Sequence, residues 1–203
     1  MMHFNKINKA AILSILFFVF TILCVPVVFA EECEEQINTV SIQFNVSYPK
    51  FDDIKDENIQ NKINSDIKTY TNDCLKTMQE YLFEDFPAGV DLHPVMHFRS
   101  EDRLSFHMFF WMYTGGAHGN AFIKTFNYDL KTGKELSFRD VSKASLQDIN
   151  KAIFAQAEGF YDDFKGIKEY PESFYIDKDG RVVIVFQQYE IAPYAVGIIE
   201  IKL

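Results

Sequence analysis

The sequence predicts an α+β fold: a mainly antiparallel sheet with two helices packed on one face, in the order β-α-β-β-β-α-β-β-β. Three observations lead there. Val40, Ile42, Phe44, Val46 and Tyr48 alternate with polar residues, a period of two that marks a strand with one buried face. From Asp56 to Phe83, apolar residues recur at three- and four-residue steps, the spacing of one helical stripe. The strand-like runs that follow are joined by short turns, which favours antiparallel neighbours with the helices to one side.

The elements follow in order. Pro49 ends the first strand. The long helix carries Ile59, Ile63, Ile67, Tyr70, Cys74, Met78 and Leu82 on its stripe, and Pro87 and Gly89 close it. A short strand is expected at Val95 to Arg99, with Glu101-Asp102 turning it into a second at Leu104 to Tyr113. In that second strand Leu104, Phe106, Met108, Phe110 and Met112 share one face. Phe109, Trp111 and Tyr113 share the other, so its end reads as buried on both sides. A third strand runs from Ala121 to Leu130 into a Lys131-Thr132-Gly133-Lys134 turn. Ser145 and Asp148 have capping-box spacing for a second helix, with Leu146, Ile149, Ile153, Phe154 and Ala157 as its stripe. Phe174 to Ile176 and Val182 to Phe186 flank an Asp-Gly turn, the signal of a hairpin, and Ala195 to Ile201 is the last strand.

The first thirty residues set the compartment. Lys6 and Lys9 precede 21 uncharged residues, Ala10 to Ala30, with an apolar centre, a helix-breaking Pro26 and a Val28-Phe29-Ala30 ending. This is the layout of a secretory signal peptide, with residues 31–203 as one extracytoplasmic domain. The alternative is an uncleaved anchor, since the stretch is long enough to span a bilayer. Both readings put the body of the chain outside the membrane.

Residues 31–203 hold 18 of the 20 basic residues and all 29 acidic ones, a formal charge of −11. Such a surface repels nucleic acid and anionic lipid and steers basic partners toward it. Acidity that only keeps an exported protein soluble is the plainer reading. Cys33 and Cys74 remain after cleavage, and an even count outside the cell points to a disulfide. It would close a loop of about 40 residues and contribute roughly 4 kcal/mol. The alternative is a buried thiol at Cys74 on the helical stripe.

Two loops are candidate sites. Thr114-Gly115-Gly116-Ala117-His118-Gly119-Asn120 carries three glycines, which open backbone angles closed to other residues and can bring amides or His118 close to a ligand. Gln187-Gln188-Tyr189-Glu190-Ile191-Ala192-Pro193-Tyr194 mixes amides, tyrosines and an acid, the composition of a contact surface. Each has a plain alternative: a tight connection in the first case, a packed corner in the second. No Gly-x-Ser-x-Gly elbow and no His-Glu-x-x-His occurs. His93 and His97 flank Pro94 and, on a strand, share a face too widely spaced for a comfortable chelate. His107 reads as a packed residue. No catalytic residue, metal or cofactor is assigned.

Taken together, residues 113–120, 126–134 and 186–197 resemble the C-terminal extracytoplasmic domain of the RsiV anti-sigma factors, a lysozyme-binding domain. They are also similar to a module that precedes the catalytic domain in certain peptidoglycan deacetylases. The resemblance covers residues 36–203. It implies an α+β fold, residence in the cell envelope and binding of a basic protein such as lysozyme, or of cell-wall glycan. It places the binding residues at Gly116, His118, Asn120, Gln188, Tyr189, Glu190 and Tyr194. About nine residues precede the apolar stretch, so no anti-sigma activity is expected, and with no deacetylase domain after Leu203 no deacetylase activity is expected of the chain itself. The competing expectation is a cell-wall hydrolase using His118 and an acidic residue.

Overall fold

The computed structural model describes residues 42–81 and 88–203. The N-terminal segment with its export signal, Cys33, Val40 and Leu82 lie outside the described residues.

The elements run β1 (Ile42–Val46), α1 (Glu57–Tyr81), β2 (Ala88–Arg99), β3 (Arg103–Tyr113), β4 (Asn120–Asp129), α2 (Phe138–Val141), α3 (Leu146–Gln156), β5 (Phe174–Ile176), β6 (Val182–Phe186), a 3₁₀ turn (Tyr194–Val196) and β7 (Ile199–Lys202). The class is α+β. One short helix, α2, adds to the expected order, and the strands form two sheets rather than one. The first has the order β1-β2-β3-β4 and the second β5-β6-β7.

β1 pairs with β2 in parallel, and every other pairing is antiparallel. The connection explains this. A parallel neighbour needs a crossover, and α1 supplies it. The Asp56 carboxylate caps α1, its Oδ1 accepting from the Asn58 N–H at 2.8 Å. Ile59, Ile63, Ile67, Cys74 and Met78 face inward, as their spacing predicts, and pack with Val90, Leu92, Phe106, Met108 and Tyr128 of the sheet. Ile63 and Ile67 are fully buried, each contributing about 1.5–3 kcal/mol of transfer free energy.

β2 is longer than the sequence suggests. It begins at Ala88 and runs through Gly89 and Pro94. A proline inside a strand is tolerated only where its missing N–H faces no partner. Leu92 accepts from Ser47 on the β1 side. Pro94, two residues on, turns the same way, to where β1 has already ended. A bulge between Met96 and Phe98 follows.

β3 is buried on both faces at its start, Leu104 to Met108, whereas Trp111, Met112 and Tyr113 are half-buried. This reverses the expectation. The reason is the second sheet: β5 lies across the start of β3 and the end of β4 on the face opposite α1. Ser105 Oγ accepts from the Ile176 N–H at 2.8 Å, Thr125 Oγ1 from the Phe174 N–H at 3.3 Å, and Asn127 Nδ2 donates to the Phe174 carbonyl at 2.7 Å. The unpaired edge of β5 is thus satisfied by side chains and not by another strand.

Tyr175, Val183 and Val185 fill the space between the sheets with Ile123 and Ile198. Phe174, Ile184, Phe186 and Ile201 turn the other way, onto Ile149 and Ile153 of α3. The layers are therefore helix, sheet, sheet, helix, and each sheet carries its helices on one face. Ser145 and Asp148 close the expected capping box on α3. Phe154 is a correction: it is 49% exposed and rests edge-on against Phe160 instead of entering the core. The last strand starts late, at Ile199, because Tyr194–Val196 coils into the 3₁₀ turn.

Cys74 is a buried thiol on the core face of α1, raised in pKa first by burial. Its expected partner, Cys33, lies outside the described residues.

Candidate functional site

β4 is the edge strand of the first sheet. Its outward N–H and C=O groups need partners, and the loop after β6 provides them. Gln187 Oε1 accepts from the Ile123 N–H and its Nε2 donates to the Ile123 carbonyl, both at 2.9 Å. Gln188 Oε1 accepts from the Ala121 N–H at 2.8 Å. Two side-chain amides thus do the work of a missing strand. They pin the loop of residues 187–194 beside the first residues of β4, next to the glycine loop of residues 114–119.

The two loops consequently meet. The His118 ring stacks on the Tyr194 ring, with centroids 3.7 Å apart and planes 18° from parallel. Tyr194 Oη donates to the Gly119 carbonyl at 2.7 Å. Tyr189 lies against Tyr194 at 5.6 Å and is 52% exposed. Its φ of 66° is the one positive value at a non-glycine residue among the described residues. A left-handed tyrosine costs about 1–2 kcal/mol and holds the ring outward from the loop.

The glycines matter at two places. Gly115 and Gly116 have φ of 93° and 90°, which lets the loop turn back so that the Gly116 carbonyl accepts from Tyr113 Oη at 2.9 Å. At Gly119 a Cβ would fall 2.5 Å from the Trp111 ring, so only glycine lets the indole lie against the loop.

The predicted residues divide accordingly. His118, Tyr189 and Tyr194 form one aromatic cluster, His118 and Tyr189 exposed and Tyr194 half-buried. Gly116 sits at the exposed loop tip, and Asn120 is exposed at the start of β4, opposite Met112. The amide oxygen of Gln188 is taken up by Ala121, a scaffolding contact. Glu190 turns back on its own loop and accepts from the Gln187 N–H at 2.7 Å. Glu190 is an exposed residue, yet the protein around its carboxyl raises its pKa, against the Gln187 N–H, which lowers it. His118 Nδ1 lies 3.2 Å from the Gly119 carbonyl. His118 and Glu190 therefore each bond within their own loop.

Sequence reasoning passed over Gln187, Trp111 and Gly119 as site residues. Gln187 stood beside Gln188 with nothing to mark its bidentate contact. Trp111 is the chain's only tryptophan, set in a period-two run, and that was the available signal.

The other histidines form a separate group. His97 Nε2 and His107 Nδ1 are 2.9 Å apart, and His97 stacks on Tyr175 at 3.6 Å. Burial is the largest cause lowering the pKa of each to about 4. His93 Nδ1 is 3.1 Å from Asp91 Oδ1. Among the described residues no group of three or more His, Cys, Asp or Glu is arranged to hold a metal ion.

Residues 35–121 match a family model described as Deacetylase PdaC, and residues 130–203 match one described as Protein of unknown function (DUF3298). The glycine loop falls in the first match and the tyrosine loop in the second. A DUF3298 family member from Bacteroides fragilis is 22% identical with a TM-score of 0.48, over 73% of this chain and 66% of that one. A DUF3298 family protein from Pseudomonas aeruginosa is 16% identical with a TM-score of 0.48, over 72% of this chain and 76% of that one. No curated protein matches the chain. The two models follow one another along the chain, one on each side of residues 122–129, and together they support a PdaC/DUF3298-type module.

Proposed function

We propose that this protein is an exported binding module of the cell envelope, whose contact surface is the cluster formed by the two loops. The convergence of His118, Tyr189 and Tyr194 carries the reading. Three aromatic rings from two distant segments are brought together by ring packing and the Tyr194–Gly119 hydrogen bond, with His118 and Tyr189 exposed and Tyr189 kept in a costly backbone conformation. Rigid, amphipathic tyrosines supply contact area at low entropic cost. Among the described residues no helix is long and apolar enough to cross a membrane.

The partner that best suits the surface is a basic protein of the lysozyme kind. The resemblance of both loops to a lysozyme-binding domain supports this, and so does the formal charge of −11 over residues 31–203. Cell-wall glycan is the second candidate.

Titration calorimetry with a c-type lysozyme at two salt concentrations tests the reading. Micromolar or tighter binding that survives moderate salt, and weakens in Tyr189→Ala or Tyr194→Ala with the fold intact, is the expected result. Binding that vanishes at physiological salt would reduce the interaction to charge attraction. Absence of binding at either salt would remove lysozyme as partner and leave wall fragments as the next titrant.

A further inference from the structure

Beside the loop cluster, the first sheet presents a face that the second sheet leaves open. β5 crosses it at the start of β3, the end of β4 and the adjoining end of β2. Beyond that crossing, register aligns two rows across β1, β2 and β3. One row is Gln43, Gly89 and Tyr113, and the other is Asn45, Asp91 and Trp111. Their neighbours Val90 and Leu92 turn to the core under α1. The six residues of these rows therefore point away from it. Gln43 and Asn45 are exposed, and Asp91, Trp111 and Tyr113 are half-buried. A groove of 480 Å³ opens over five of them, all but Tyr113, with Phe44 and Val90 also on its lining, within the range of about 300–1,000 Å³ that small-molecule sites occupy.

We propose that this groove is a glycan site that takes a neutral, β-linked hexopyranose chain. The inference rests on the reading of the protein as an envelope-binding module, but on different residues. Trp111 is cleared a place on the sheet by two glycines, since a Cβ at Gly89 would lie 3.0 Å from its ring and one at Gly119 2.5 Å. Trp111 and Tyr113 are nearly parallel, with planes 10° apart and centroids 6.3 Å apart. The electron-rich faces of such rings attract the axial C–H groups of a pyranose.

The polar rim is built as well. Asp91 Oδ1 accepts from Asn45 Nδ2 at 2.9 Å and lies 3.1 Å from His93 Nδ1. The carboxylate is thereby fixed in plane. Its Oδ2 has no hydrogen-bond partner among the described residues, and Asp91 lines the groove, so this oxygen is left to accept from sugar hydroxyls. A β-linked chain is a flat ribbon with apolar faces and hydroxyl edges, which matches an aromatic floor with a polar row beside it. The acidic balance of the chain disfavours anionic sugars.

Trp111 is the only tryptophan of the chain, so its emission reports on the groove directly. Protein expressed from the full sequence is titrated with chitotetraose, cellotetraose and, as an α-linked control, maltotetraose. The expected result is a saturating change in emission with a β-linked sugar, with Kd of about 1 mM or tighter, and none with maltotetraose. Preference between the two β-linked sugars then states whether the acetamido group is read. Asp91→Asn and Asn45→Ala should each weaken binding about tenfold with an unchanged circular dichroism spectrum. No saturating change with either β-linked sugar, or binding that is unaltered in both groove variants, overturns the proposal. Equal binding of maltotetraose overturns the linkage assignment. Absence of lysozyme binding by the unaltered protein, with sugar binding present, would defeat the reading of the loops and leave the groove standing.

Discussion

His118 lies nearly flat on Tyr194, 3.7 Å between ring centroids, and the Tyr194 hydroxyl reaches past it to the Gly119 carbonyl. This contact joins two segments that match two different family models. It forms because Gln187 and Gln188 dock the second loop on the open edge of β4, where the first loop ends. Scaffold and contact surface are thus assigned to adjacent residues of one short stretch: the amides hold, and the tyrosines face outward.

Tyr189 separates the two roles. Tyr189→Gly removes the strain of a positive φ but adds backbone entropy to the unfolded chain, so stability should stay within about 1 kcal/mol of the parent. Affinity for the partner should fall about tenfold or more, as for an exposed aromatic anchor. Thermal melts and calorimetry on the same sample check this. Unchanged affinity would take Tyr189 out of the contact surface.

Gln187 is predicted to matter for the fold. Gln187→Leu leaves both the N–H and the C=O of Ile123 without their side-chain partner, at a cost of about 1–3 kcal/mol. For a chain of this size that lowers Tm by roughly 2–4 °C per kcal/mol. Amide hydrogen exchange should accelerate at Ile123 while the centre of β3 stays protected. Equal acceleration throughout would contradict a local edge role.

Gly119→Ala places a methyl group in the Trp111 ring. The indole must move, and overpacking of this kind costs about 1–3 kcal/mol. A fluorescence change from Trp111 should accompany the loss of stability. A stable variant with native emission would show that the ring and loop are not in the contact described.

The His97–His107 pair predicts a pH dependence. Both groups have folded pKa values near 4, depressed chiefly by burial below the ordinary 6.5. His93 and His97 add to the effect at His107, and Asp177 opposes it at His97. A depressed histidine is more readily protonated in the unfolded chain. Its contribution is therefore fully present above pH 6.5 and is lost as pH falls toward 4. The melting temperature should drop across that window, and His107→Gln should flatten the drop. An equal slope in parent and variant would assign the effect to other groups.

Periodicity located α1, β3 and α3, because each carries an apolar stripe or face that its own residues announce. Ser145 and Asp148, and Asp177 to Gly180, were legible because caps and turns are local hydrogen-bond chemistry. β2 was half-read, since Pro94 argues against a strand unless the neighbouring strand is known to have stopped. The burial of β3 was read the wrong way round for the same reason: which end of Phe106–Trp111 is covered depends on where β5 lands. The two candidate loops were recognised from glycine and tyrosine content, but nothing in that content says that they touch. That was decided by Gln187 and Gln188 meeting an unpaired strand edge, and by Ser105, Thr125 and Asn127 docking one sheet on another. The sequence determined the elements, whose signals lie within a few residues of each other. Only the tertiary structure decided their partners, because an edge strand's unsatisfied N–H and C=O groups can be met by any suitable side chain in the molecule.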